Sequence, residues 1–208
     1  MNKISYTLIG AFLTLLLSGA TLILAPYFQF KDSPAPAALK PYSAWEDLGR
    51  RSYVSNGCVY CHSQQPRDPS FAPDGIRGWG RPSVPADYAY DTPHLLGTMR
   101  TGPDLFNIGQ RQPSEDWHHA HLYQPRSLVK GSTMPSYPYL YKLQKALRPG
   151  DVKVTLPPEY EPKEGVVVAT DEAIALVAYL KALNHTYAIT STGRAAQSAT
   201  PVNATSVK

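Results

Sequence analysis

The chain has 208 residues, of which 17% are charged, and its formal net charge is +4. Twenty prolines and 14 glycines predict one loop-rich domain with added segments rather than several domains. The charges are interspersed, without the Lys/Arg run or basic stripe of a nucleic-acid-binding protein, so no nucleic-acid partner is expected.

The first predicted element is an apolar helix. Residues 4–30 contain no charged residue, and about 20 such residues span a bilayer. A cleaved signal peptide is the alternative, because Ser18-Gly19-Ala20 resembles a cleavage site. The apolar run continues beyond that site, which favours a retained membrane anchor over residues 1–30 in contact with lipid. Lys3 before it predicts a cytoplasmic N-terminus, with the rest of the chain on the exported side.

A linker and a helix follow the anchor. Residues 31–42 are rich in Pro and Ala, as in a linker. Ser43 and Glu46 have the spacing of a capping box, which predicts the start of a helix. The helix should run to about Asn56 and end at Gly57 in the C′ position.

The next segment, Cys58-Val59-Tyr60-Cys61-His62, is a C-x-x-C-H motif and contains both cysteines of the chain. This motif is typical of a covalently attached c-type haem: the two thiols add to its vinyl groups, and the histidine is an axial ligand of the iron. A disulfide or a redox-active C-x-x-C pair is the alternative. Zinc is disfavoured because no second Cys/His pair lies at zinc-finger spacing.

Beyond the motif, residues 66–93 are rich in Pro, Gly and Tyr and predict a long surface loop. A helix is predicted from Ser114, ending at Gln124-Pro125 because the residue before proline avoids the helical region. Residues 152–154 and 166–168 are predicted to pair as a small ribbon.

The last predicted helix is capped by Thr170, has Asp171 and Glu172 in its first turn, and closes at Asn184. Its apolar face consists of Ile174, Val177, Ala178 and Leu180. Residues 186–208 are predicted to be a flexible polar tail.

A first helix that runs into C-x-x-C-H and a last helix of this kind resemble a class I cytochrome c. In that fold the terminal helices cross closely, and Gly49, Tyr53 and Tyr179 match the crossing. The expected fold is therefore mainly α: a single N-terminal transmembrane helix plus a class I cytochrome c-like haem domain over residues 43–185, with long loops.

The same resemblance indicates a distal ligand of the iron. Met134, in a loop before the last helix, is favoured over Met99, and Met/His ligation raises the haem potential. Ligation by His118, His119 or His121 is the alternative, although a solvated helix face is the more common role of such a cluster.

Other residues are expected around the haem. The segment Thr101–Leu105 has the form of the cytochrome c loop in which a proline carbonyl, here that of Pro103, accepts a hydrogen bond from the proximal histidine. Trp117, Arg111 and Arg126 are candidate donors to the haem propionates.

Taken together, the motifs resemble the membrane-anchored mono-haem cytochrome c subunit (subunit II) of cbb3-type cytochrome c oxidases, which belong to the haem–copper oxidase C family. The resemblance depends on the order of these segments: Pro26–Gln29, Lys40–Tyr42, Gly57–Gln64, Arg100–Leu105, Trp117–Leu122, Pro125-Arg126 and Met134–Pro138.

The resemblance implies a bacterial inner-membrane subunit with a periplasmic haem domain. It would relay electrons from a further cytochrome c subunit, or from a soluble cytochrome c, to the low-spin haem b of a haem–copper catalytic subunit that reduces oxygen. It also implies a calcium ion at the interface, near Gly97-Thr98, where the family is expected to have Gly-Ser. The 65–82 loop, the 141–170 segment and the tail depart from the family pattern.

Two other functions remain open at this point. One is the cytochrome c subunit of a nitric oxide reductase, which also has one anchor and one c-type haem. The other is a free membrane-tethered shuttle cytochrome c.

Overall fold

The computed structural model describes residues 2–31, 34–64, 77–97 and 99–189. Within these ranges the protein is mainly helical, as expected, with one two-stranded sheet. Thr98, much of the 65–82 loop and most of the C-terminal tail lie outside the described residues, so the expectations for them stay predictions.

The apolar N-terminal segment is one continuous helix. It consists of α1 (Lys3–Gly19), a π-helical stretch (Ala20–Leu24) and α2 (Ala25–Phe30). Residues 3–29 are long and apolar enough to cross a membrane, and none of this stretch is buried against the rest of the protein. The hydroxyl groups of its three threonines and of Ser18 bond to the helix's own carbonyls, as from Thr14 Oγ1 to Gly10 O at 2.9 Å. A lipid environment therefore leaves these polar groups satisfied.

Helix α3 (Ala44–Ser55) begins and ends as predicted. Ser43 Oγ accepts a hydrogen bond from the Glu46 amide at 3.3 Å, and Glu46 Oε2 accepts one from the Ser43 amide at 2.7 Å. Gly57 has a φ of 73°, a left-handed conformation that favours glycine. The chain therefore leaves the helix abruptly and enters a 3-10 turn at Cys58–Tyr60.

The last helix, here α6 (Asp171–Ala182), is capped by Thr170 as predicted, but it ends two residues before Asn184. Leu183 leaves the helical conformation, and its side chain is buried. Its carbonyl accepts the Gly109 amide at 3.0 Å, and this bond replaces a further helical turn.

Helices α3 and α6 cross at close range, and this confirms the predicted contact. A β-carbon at Gly49 would overlap the Ala175 carbonyl. The Tyr53 and Tyr179 rings are buried beside the crossing, with their centroids 5.5 Å apart. The absence of a side chain at Gly49 is what permits this approach.

Two further helices pack beside α6. Helix α5 (Glu115–Tyr123) begins after its Ser114 cap and ends before Pro125, as predicted. The short α4 (Ile108–Arg111) was not predicted. It lies so close to α6 that a β-carbon at Gly109 would overlap the Lys181 carbonyl.

The predicted pairing of residues 152–154 with 166–168 is confirmed, and a further strand extends it. Strand β2 (Val166–Ala169) also pairs antiparallel with β1 (Tyr141–Gln144), which was not predicted. Residues 152–154 lie on the other edge of β2, held by backbone bonds such as Val154 N to Val167 O at 2.9 Å. Strand β1 was not predicted, although its residues alternate between apolar and polar: it has only four residues, the shortest length over which such alternation indicates a strand.

Candidate haem-binding site

The two cysteines lie on the turn that follows α3. Both thiols are free; Cys58 is buried and Cys61 is half-buried. Backbone bonds hold the turn, as from the His62 amide to Cys58 O at 2.9 Å. Burial raises the pKa of Cys58 to about 11, although the neighbouring Tyr137 hydroxyl opposes this rise. The Cys58 side chain is therefore a neutral thiol in a largely apolar setting.

The His62 ring is held in one orientation. Its Nδ1 lies 2.6 Å from the Pro103 carbonyl, so Nδ1–H donates and Nε2 keeps its lone pair. Burial lowers the pKa of His62, although the Pro103 carbonyl opposes this, and the imidazole stays neutral. The ring lies so close to Gly102 that a β-carbon there would overlap it. These contacts leave a neutral Nε2, the form that binds iron.

Several bonds tie the His62 turn to α3 and to the loop that contains Pro103. The Tyr53 hydroxyl donates to the His62 carbonyl. The Ser63 amide donates to Met99 O at 3.2 Å. Arg100 donates to Ser63 Oγ at 2.9 Å and forms an ion pair with Asp104 at 3.1 Å. The position of His62 is therefore set by contacts on both sides of it.

The two internal methionines differ in their surroundings. Met134 is half-buried and packs against the hydrophobic core. Its loop is fixed to α5 by the bond from the Tyr137 amide to Leu122 O at 3.0 Å. Met99 is 54% exposed, and its backbone carbonyl is bonded to Ser63. A thioether that packs against the core suits an iron ligand better than an exposed one, so Met134 stays the preferred candidate.

The histidines of α5 do not form a solvated face, so that expectation was wrong. His118 and His119 are 2% and 1% exposed. His118 Nε2 lies 2.8 Å from Gln112 O, and His119 Nδ1 lies 3.3 Å from the Tyr141 hydroxyl. Burial lowers the pKa values of all three imidazoles, to about 4 for His118 and His121. The reason is that α5 contacts both α6 and the segment that leads into β1.

The three candidate propionate donors lie in different settings. Trp117 is half-buried and stacks on His121, with ring centroids 4.6 Å apart. Arg111 donates to Asp104 O at 3.0 Å and lies over the Trp79 ring. Its charge contributes to lowering the pKa of His62, so it lies on the side of the site near that ligand. Arg126 is exposed, and its side chain makes no hydrogen bond or ion pair among the described residues.

Sequence reasoning missed Tyr137 as a contact of Cys58 and Asp104 as the partner of Arg100. The Arg100–Asp104 pair has a local signal, because the two residues are four positions apart. Tyr137 lies 79 positions after Cys58 in the chain, so only the fold brings them together.

The residues present fit a covalently attached haem. Two free thiols precede a neutral imidazole whose Nδ1 is engaged and whose Nε2 is available, and Gly102 leaves room for the ring. A family model described as "Cytochrome C oxidase, mono-heme subunit/FixO" matches residues 1–156, which include these groups and Met134. No curated protein matches the chain.

Proposed function

The chain belongs to the FixO family of mono-haem cytochrome c oxidase subunits, and on that premise we propose that it is the electron-transfer subunit of a cbb3-type oxidase. It passes electrons through one covalent c-type haem to the low-spin haem b of the oxygen-reducing catalytic subunit, and does not itself hold the oxygen-reduction site. The observation that carries this proposal is the bond between His62 Nδ1 and the Pro103 carbonyl, directly after two free thiols. That bond prepares the imidazole as a ligand of iron.

Each residue of the site has a separate task. Cys58 and Cys61 would hold the haem through thioether bonds, and His62 and Met134 would be the axial ligands. When bound, the haem supplies a one-electron ferric/ferrous couple, and Met/His ligation raises its potential. Pro103 fixes the tautomer and the plane of the His62 ring.

The N-terminal helix provides the attachment to the membrane. Its apolar surface is exposed over residues 3–29, which suits contact with lipid. Lys3 at its start favours a cytoplasmic N-terminus, so the haem domain would lie in the periplasm of a bacterial inner membrane. A linker of residues 31–42 would join the two parts.

The partners follow from the same proposal. The haem–copper catalytic subunit accepts the electrons, and a further cytochrome c subunit or a soluble cytochrome c supplies them. Calcium at the interface remains an expectation from the resemblance, since Thr98 lies outside the described residues.

The proposal is tested on the native complex from membranes. We expect a 22.9 kDa band that keeps its haem stain under denaturing conditions, together with a polytopic subunit and oxygen consumption with reduced cytochrome c. The matched control is Cys58→Ala with Cys61→Ala, in which the stain should be lost from this band. Consumption of nitric oxide instead of oxygen would indicate the reductase alternative. Purification of the stained chain without any polytopic subunit would indicate a shuttle cytochrome.

A further inference from the structure

One imidazole of α5 lacks the partner that the other two have. His118 is bonded to Gln112 O and His119 to the Tyr141 hydroxyl. His121 Nδ1 is buried, and it has no hydrogen-bond partner among the residues that the structure describes. Buried polar atoms are nearly always paired in folded proteins, so this atom indicates a missing partner.

The position of His121 indicates which partner is missing. His121 follows Trp117 by one helical turn, and the two rings are stacked with only 9° between their planes. Burial lowers the pKa of His121, and the charges that His118 and His62 would carry lower it further. His119 is not affected by His62 in this way. His121 thus lies within electrostatic range of the proximal ligand.

We propose that His121 binds a propionate of the haem by donating its Nδ1–H to the carboxylate. The inference rests on the proposed function, since it needs a haem beside His62. At the edge of a porphyrin the propionates are the hydrogen-bonding substituents, and a neutral imidazole offers one N–H donor. Stacking on Trp117 fixes the plane of the donor. His121 is therefore a positioning residue that was absent from the predicted donors Trp117, Arg111 and Arg126.

The bond has a consequence for the redox potential. A hydrogen bond withdraws charge from the propionate, and the remaining negative charge stabilises ferric iron less. Donation by His121 should therefore raise the midpoint potential of the haem. A residue with only a packing role would not have this effect.

The experiment compares His121→Leu, which removes the donor, with His121→Asn, whose amide can replace Nδ1–H. His94→Leu is the control, because His94 is exposed. The full-length proteins are purified in their complex, and covalent haem content, spin state and midpoint potential are measured. We expect full haem content and a low-spin spectrum in all variants. The potential should fall in His121→Leu, stay close to the unmodified value in His121→Asn, and not change in His94→Leu.

An unchanged potential in His121→Leu, or an equal fall in His121→Asn, would overturn the inference. A high-spin spectrum in both variants would also overturn it, because His121 would then be an axial ligand. If His121→Leu does not accumulate, nitrogen-15 NMR of histidine-labelled unmodified protein decides: a slowly exchanging Nδ1 proton on His121 supports the bond, and its absence contradicts it. Lack of covalent haem in the unmodified protein would instead contradict the proposed function.

Discussion

Gly102→Ala should displace the proximal histidine. The added β-carbon would overlap the His62 ring, and the backbone cannot easily retreat, because the Gly102 amide is bonded to Cys61 O at 3.1 Å. The ring escapes by rotating away from the Pro103 carbonyl. Loss of that hydrogen bond costs about 1 kcal/mol, and overpacking costs about 1–3 kcal/mol. The free energy of unfolding should therefore fall by about 2–4 kcal/mol.

The assay is thermal unfolding of the purified protein, together with the absorption spectrum of the haem. A loss of this size corresponds to a fall in Tm on the order of 10 °C, and the displaced ring should also weaken the low-spin spectrum. Thr101→Ala is the matched control in the same loop: Thr101 is exposed, and its replacement should change stability by less than about 0.5 kcal/mol. An unchanged Tm and spectrum in Gly102→Ala would show that the backbone of this loop can move to accommodate the added methyl group. That result would refute the argument that the loop fixes His62.

Three other predictions follow from the same structure. Gly49→Ala should lower the free energy of unfolding by about 1–3 kcal/mol in a denaturant titration, because the crossing of α3 and α6 leaves no space for a β-carbon at this position. Gly10→Ala is the control and should leave the free energy of unfolding unchanged, because a β-carbon at Gly10 meets nothing within 4 Å. Met134→His should keep the haem iron six-coordinate and lower its midpoint potential in a redox titration, because imidazole favours ferric iron. Met99→Leu is the control and should change neither the coordination nor the potential. The opposite pattern would mean that Met99, and not Met134, is the distal ligand. Burial lowers the pKa of His118 from 6.5 to about 4. Between these pH values the unfolded chain therefore binds more protons than the folded protein. The free energy of unfolding should fall as the pH falls from about 6.5 to 4, by on the order of 3 kcal/mol for this group. Denaturant titrations at pH 7 and pH 4.5 measure this loss. An equal loss in His118→Gln would contradict the claim that His118 causes it.

The sequence by itself determined the elements whose causes are local. The capping box at Ser43 and Glu46, the stop at Gly57 and the helix end before Pro125 all depend on neighbours within a few residues, and the structure has them as predicted. The apolar helix over residues 3–29 follows from composition alone. The C-x-x-C-H motif likewise lies within five consecutive residues, so the prediction of a covalent haem depends on no distant contact.

The tertiary structure decided the features that depend on which surfaces meet. Whether the histidines of α5 face water or the core depends on what packs beside that helix, and α6 and the segment before β1 bury them. The pairing of β1 with β2 and the contact of Tyr137 with Cys58 join segments more than 20 residues apart in the chain. His121 could be identified as a donor without a partner only after the bonds of His118 and His119 were known. Such contacts form when distant segments pack together, and the local spacing of residues does not specify that packing.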